Sequence, residues 1–200
     1  MLTKTLFPTV FFILLISIAT SAFAATFKGK VIDADTKEPI EGAVVVAEWT
    51  EETTTPTATH TKLKDVKEVL TDKNGEWLIK GPRGRKEDNL IAIFTLLTGT
   101  YYTQPPRFYI FKPGYCPCPL VIGIEVCKER MKPYNVCGKE ETLELPKLTR
   151  REDRWRAEGI GSSFITETKK IKNFLRLINE ERRFLGLSEY PIGKELENEK

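Results

Sequence analysis

The stretch that most constrains this chain is residues 29–49, where two strand patterns flank a turn built from special backbone residues. Gly29-Lys30-Val31-Ile32-Asp33 places polar and apolar residues in near alternation, as a strand with one buried and one wet face requires. Gly42-Ala43-Val44-Val45-Val46-Ala47-Glu48-Trp49 is a β-branched run bounded by Gly42 and a Thr-rich segment. Between them Pro39 fixes φ, Ile40 can anchor inward, and Gly42 can take a backbone shape that costs other residues energy. The pattern predicts strand, turn, strand. It says nothing about a ligand.

Residues 29–46 also resemble the opening of carboxypeptidase regulatory-like domains, which are grouped with the transthyretin-like sandwiches. Thr71-Asp72-Lys73-Asn74-Gly75-Glu76-Trp77, then Lys112-Pro113-Gly114-Tyr115, then Thr142-Leu143-Glu144-Leu145-Pro146 extend the resemblance, which covers about residues 26–148. The opening motif is the most specific of these; the others count through their order. The resemblance implies an all-β fold, a Greek-key β-sandwich of about seven strands that is usually non-catalytic. The chain departs from the family pattern twice, with a long apolar and aromatic insertion before Lys112 and four cysteines after it.

Residues 1–24 stand apart. Lys4 gives a short positive start, residues 6–19 are apolar, and Ala22-Phe23-Ala24 is a small-residue cleavage signature before Ala25. That combination reads as a secretory signal peptide, with a retained N-terminal anchor as the alternative. The apolar run is short for a membrane span, and no cysteine near the cleavage point can carry a lipid. The expected location is periplasmic or extracellular, with membrane contact only through the signal peptide during export. At 40% hydrophobic and 30% charged, the chain can build a core. The expected division is residues 1–24 signal peptide, 25–149 sandwich, and 150–200 charged linker, C-terminal amphipathic helix and frayed tail. A net charge of +3 says little by itself, and with no basic tail on an exported chain no nucleic-acid partner is expected.

Residues 50–61, rich in Thr and carrying Pro56, read as a solvated loop. Residues 66–71 and 76–80 are strand candidates, joined as partners by the tight turn Asp72-Lys73-Asn74-Gly75, with Trp77 and Ile79 on one face. Residues 90–102 carry no charge and read as a buried strand with a covering loop. The sharper reading is an apolar patch of Ile91, Phe94, Leu97, Tyr101 and Tyr102 that docks a partner or a membrane surface. Residues 107–112, 120–126 and 142–145 supply further strands, and Pro113-Gly114 turns Tyr115 against the sandwich. After a charged start at Arg150, Phe164, Thr168, Ile171, Phe174, Leu175, Ile178 and Leu185 recur at helical steps. Ser163 is the expected cap and Gly186 the stop, and the apolar stripe is expected on the sandwich or on another chain.

Cys116, Cys118, Cys127 and Cys137 in an exported chain predict disulfides. A Cys116–Cys118 bond would close a very small ring through Pro117, so bridges from that pair to Cys127 and Cys137 are expected, in either order. A redox Cys-x-Cys pair and a zinc site are the lesser alternatives. His60 is the only histidine, so the two-histidine site of a zinc peptidase cannot be assembled, and His60 reads as a surface residue. Asp33, Asp35 and Glu38, and also Asp72, Asn74 and Glu76, look like calcium ligands. Arg83 stands where the second set needs its closing Glu, and turn chemistry explains both. Ser162 and Ser163 do not form Gly-x-Ser-x-Gly, and the glycines near residue 81 lack a following Gly-Lys-Ser/Thr.

No catalytic, cofactor-binding or metal-binding set is therefore expected. The expected function is a non-catalytic exported module with a structural or binding role, its partner an unidentified envelope protein or a glycan. One alternative is a thiol–disulfide exchange protein using Cys116 and Cys118. The other is a carbohydrate-binding module stacking sugars on Trp49, Tyr101 and Tyr102.

Overall fold

The computed structural model describes residues 24–85, 89–119, 125–131, 137–138, 142–158 and 168–190. The expected strand–turn–strand becomes β1 (Ala24–Asp33) and β2 (Val44–Thr54), which belong to different sheets. β1 lies between β4 (Glu76–Pro82), antiparallel to it, and β7 (Thr142–Leu145), parallel to it. β2 centres the second sheet, with β3 (Thr59–Leu70) on one side and β5 (Tyr102–Thr103) and β6 (Arg107–Phe111) along the other. The two sheets share one apolar core, a β-sandwich-like arrangement.

Strand periodicity explains how β2 serves two layers. Val45, Ala47 and Trp49 meet Val31, Trp77, Ile79, Phe108, Leu143 and Leu145 between the sheets. Val44 and Val46, on the opposite face, pack with Val66 and Phe111 against Ile171, Phe174, Leu175 and Ile178. Those last residues belong to or adjoin a C-terminal helix. In chain order the helices are α1 (Asn89–Thr98), α2 (Glu125–Arg130), α3 (Arg151–Ala157) and α4 (Lys172–Leu185). The amphipathic stripe of α4 thus lies on the sandwich. Gly186 ends it at φ 72°, in the left-handed region where a side chain would be strained. Its first turn is capped by another element: the Glu68 carboxylate on β3 accepts the amides of Asn173 (2.7 Å) and Phe174 (2.9 Å). Burial raises the Glu68 pKa, against the lowering effect of these amides. Arg154 of α3 forks onto Glu181 of α4 at 2.7 and 2.6 Å, and Arg182 pairs with Glu158.

Several expectations are corrected. Residues 50–61 are not a loop: Thr50 to Thr54 continue β2, Thr59 opens β3, and the hairpin closes with Thr55 N–H donating to the Ala58 carbonyl at 2.9 Å. Threonine is β-branched and suits a pleated strand. The Asp72–Gly75 turn does not close a hairpin, because β3 pairs with β2 and β4 with β1; it carries the chain from one sheet to the other. The insertion is a helix, and Glu125 and Val126 belong to α2 rather than to a strand. The cleavage signature's first residues, the rest of residues 120–126, Ser163 and Phe164 lie outside the described residues. The strands at β6 and β7 and the inward delivery of Tyr115 follow the expectation, with the Tyr115 hydroxyl donating to Asp33 at 3.1 Å.

Trp49 closes the core at one end. It is fully buried, and its indole N–H donates to the Pro82 carbonyl at 2.7 Å. A Cβ at Gly81 would sit 2.3 Å from the Trp49 ring, so that position requires glycine. Gly81→Ala should therefore cost about 1–3 kcal/mol by overpacking. The expected result is a lower urea midpoint with an unchanged m-value.

Candidate functional site

α1 forms because Leu90, Ala92, Leu96 and Leu97 favour helix over strand, and because Gly99 ends it. Gly99 takes φ 65° and donates its amide to the Thr95 carbonyl at 2.7 Å, the left-handed helix stop. That glycine, with the leucines, was the sequence signal for a helix here.

The helix is turned inside out. Thr95 (1% exposed) and Ile91 (8%) face the protein, whereas Leu90 (78%), Leu97 (79%) and Phe94 (59%) face solvent. A helix lying on a protein surface normally does the reverse. Of the contact residues expected from sequence, Phe94, Leu97 and Tyr101 are exposed, and Leu90, Ile93 and Leu96 of the same uncharged run join them. Ile91 is corrected to a packing residue beneath the helix. Tyr102 is half-buried, and its hydroxyl donates to Glu52 at 3.2 Å, beside Gln104, which donates to the same carboxylate at 2.6 Å. Tyr102 therefore ties β5 to β2.

Beneath α1 the strand is polar. The Thr54 amide donates to the Thr95 hydroxyl at 3.4 Å, and the buried Thr53 hydroxyl has no hydrogen-bond partner among the described residues. Basic residues stand around the segment that follows the helix. The Lys62 ammonium stands 4.0 Å from the Tyr101 ring centroid. Lys62 and Lys64 bracket Glu51 at 3.4 and 2.8 Å, and the Lys64 hydrogen bond leads the effects that hold the Glu51 carboxyl below its ordinary pKa. The Arg85 amide donates to the Thr103 carbonyl at 2.8 Å, which places exposed Arg83 and Arg85 beside β5.

The cysteines form Cys116–Cys127 and Cys118–Cys137 bridges, which selects one of the two expected pairings. Cys116 and Cys118 are buried and bonded to different partners, so they do not form a Cys-x-Cys couple. Among the described residues no group of three or more His, Cys, Asp or Glu side chains could hold a metal. His60 is exposed on β3. Trp49 is corrected from a candidate sugar platform to a core residue, since no face of its ring reaches solvent.

Both acidic clusters are turn devices. Asp33 accepts the amides of Asp35 (2.8 Å) and Thr36 (3.1 Å) as well as the Tyr115 hydroxyl. Burial alone pushes the Asp33 pKa up, but those hydrogen bonds and the Lys147 charge outweigh it and hold the group below its ordinary value. Asp72 accepts the amides of Asn74 (2.9 Å) and Glu76 (2.8 Å). Asp35 pairs with Arg130.

The chain matches no protein-family model, no curated protein and no solved structure.

Two predictions follow from this geometry. Replacing Cys116 and Cys127 together by serine should lower stability by about 2–4 kcal/mol, read from denaturant unfolding without reductant. Asp33 contributes stability above its unfolded-state pKa and loses it as pH falls through the lower folded-state value. Asp33→Asn should therefore be less stable than wild type by about 1 kcal/mol at neutral pH. That gap should close once pH drops well below 3.8, measured by urea midpoints across a pH series.

Proposed function

We propose that this chain is an exported, non-catalytic binding module: a Greek-key sandwich of the carboxypeptidase regulatory-like kind that makes contact through the end carrying α1. The single observation that carries this reading is the outward apolar face of α1, with Leu90, Ile93, Phe94 and Leu97 in solvent while Thr95 is buried. Isolated exposed apolar residues are ordinary, but a contiguous group on one helix marks a contact surface.

Other features support it. Two disulfides fit an oxidising compartment outside the cytoplasm. The acidic groups that resemble ligands are engaged by backbone amides, which leaves them little to offer a substrate. Burial of Cys116 and Cys118 in separate bridges weighs against thiol–disulfide exchange, and burial of Trp49 against sugar stacking.

The test places a photo-crosslinking benzophenone side chain at Leu97, and as a control at Lys28, an exposed position on β1. In intact cells the Leu97 position should give discrete adducts, with either protein or lipid, and the Lys28 position should not. Equal labelling at both positions, or none at Leu97, would overturn the reading.

A further inference from the structure

We infer that the occupant of the α1 face is the surface of an anionic lipid bilayer, on which the molecule stands with its α1 end down. This rests on α1 being the contact element, and it adds what the element contacts.

The first argument is the breadth of the apolar face. Leu90, Ile93, Phe94, Leu96 and Leu97 are all exposed and, at 3.6 residues per turn, span an arc of about 160°. A helix seated in a protein groove presents a narrower stripe with polar margins, whereas immersion wets no side of such an arc with water. These side chains offer no hydrogen-bonding group by which a protein partner could be specified. With ten residues, α1 is too short to cross a bilayer, and no helix among the described residues is long and apolar enough to do so. An apolar segment of that length fits a placement in the interface and not a span.

The second argument is where the rest of the chain arrives. β1 runs away from this end, and Ala24 pairs with Pro82, the residue whose carbonyl takes the Trp49 indole. Beyond Trp49, the Thr50 carbonyl takes the Gln104 amide and Thr54 meets α1. Ala24, where the described part of β1 starts, thus lies at the α1 end, and residues 24–27 carry no charge. The uncharged start of β1 and the uncharged α1 thus lie on the same side of the molecule.

The third argument is the rim. Lys62, Lys64, Arg83 and Arg85 lie around Tyr101 and β5, which directly follow α1 in the chain. Glu51 is neutralised between two of them, and Glu52 is turned onto Tyr102 and Gln104. Tyr101 beneath the Lys62 ammonium is the aromatic–cation pairing that sits at headgroup depth, and the basic rim favours anionic headgroups.

The experiment uses the full chain carrying Phe94→Trp, with vesicles of phosphatidylcholine alone or of phosphatidylcholine and phosphatidylglycerol. F94W fluorescence should shift to the blue and be quenched by brominated phosphatidylcholine in the anionic vesicles, beyond any change in the wild type. High salt should reduce the effect. Hydrogen exchange across residues 89–98 of the wild type, slowed at least about tenfold by anionic vesicles, covers the case in which F94W does not fold. Absence of both effects overturns the membrane assignment. If the Leu97 crosslinker still captures a protein in cells, the binding reading survives that loss; if it captures nothing, both fall.

Discussion

Strand β2 is buried on both of its faces, and the rest of the fold follows from that. Residues 44–47 are consecutively buried, so the strand needs an apolar layer on each side. The sheet of β4, β1 and β7 supplies one, through Val31, Trp77, Ile79, Leu143 and Leu145. Helix α4 supplies the other, through Phe174, Leu175 and Ile178. Without α4, Val44, Val46 and Phe111 would face water, at a cost of about 25 cal/mol for each Å² exposed. The C-terminal helix is therefore a third layer and not a tail. Its Glu68 cap and the Arg154–Glu181 fork hold it in register with the sheet beneath.

The same strand explains why α1 sits as it does. Among the described residues sheet β4-β1-β7 reaches the Ala24–Pro82 pair, beside Trp49, whereas β2 and β3 run on to Thr54 and Thr59. Past Trp49 the face of β2 that looked into the core presents Glu51 and Thr53. α1 fills the space the shorter sheet leaves open. Thr95 turns inward there, bonded to the Thr54 amide, with Ile91 packed beside it. The apolar residues face outward as a consequence of what lies underneath.

How far the sequence disclosed this depended on the range over which each signal acts. The alternation in residues 29–33 and the β-branched run after Gly42 located β1 and β2, because a strand's burial pattern is written locally. Asp72-Lys73-Asn74-Gly75 located a chain reversal correctly but not its partners, since turn chemistry fixes the bend and not the sheet each arm joins. The threonines of residues 50–61 were misread from polarity, although their branching favoured strand. Residues 90–98 were misread because an uncharged run shows no period when its apolar side chains surround the helix; Gly99 marked its end all the same. The disulfide ring argument narrowed the pairing to two choices, and the choice between them depends on where α2 and residue 137 fold back. Of the candidate contact residues, Phe94, Leu97 and Tyr101 were legible as apolar and uncharged, but Ile91 could be told from them only by the side of α1 that touches β2.

The two ends of β1 are physically unlike. Its ten residues separate them by about 33 Å at 3.3 Å per residue. At the Asp33 end the chain is cross-linked: Tyr115 bonds Asp33, Lys37 pairs with Glu144, Arg130 pairs with Asp35, and the Cys116 amide bonds the Pro146 carbonyl beside its disulfide. At the Ala24 end Ile91 and Thr95 of α1 face inward, Thr95 accepts the Thr54 amide, and the helix shows other apolar side chains to the surroundings. A cross-linked polar end and an end that shows apolar side chains, joined by a doubly buried strand, give the molecule a direction. Such a body can present its cross-linked end to water while the other end rests against an apolar surface, and that orientation requires no reactive side chain.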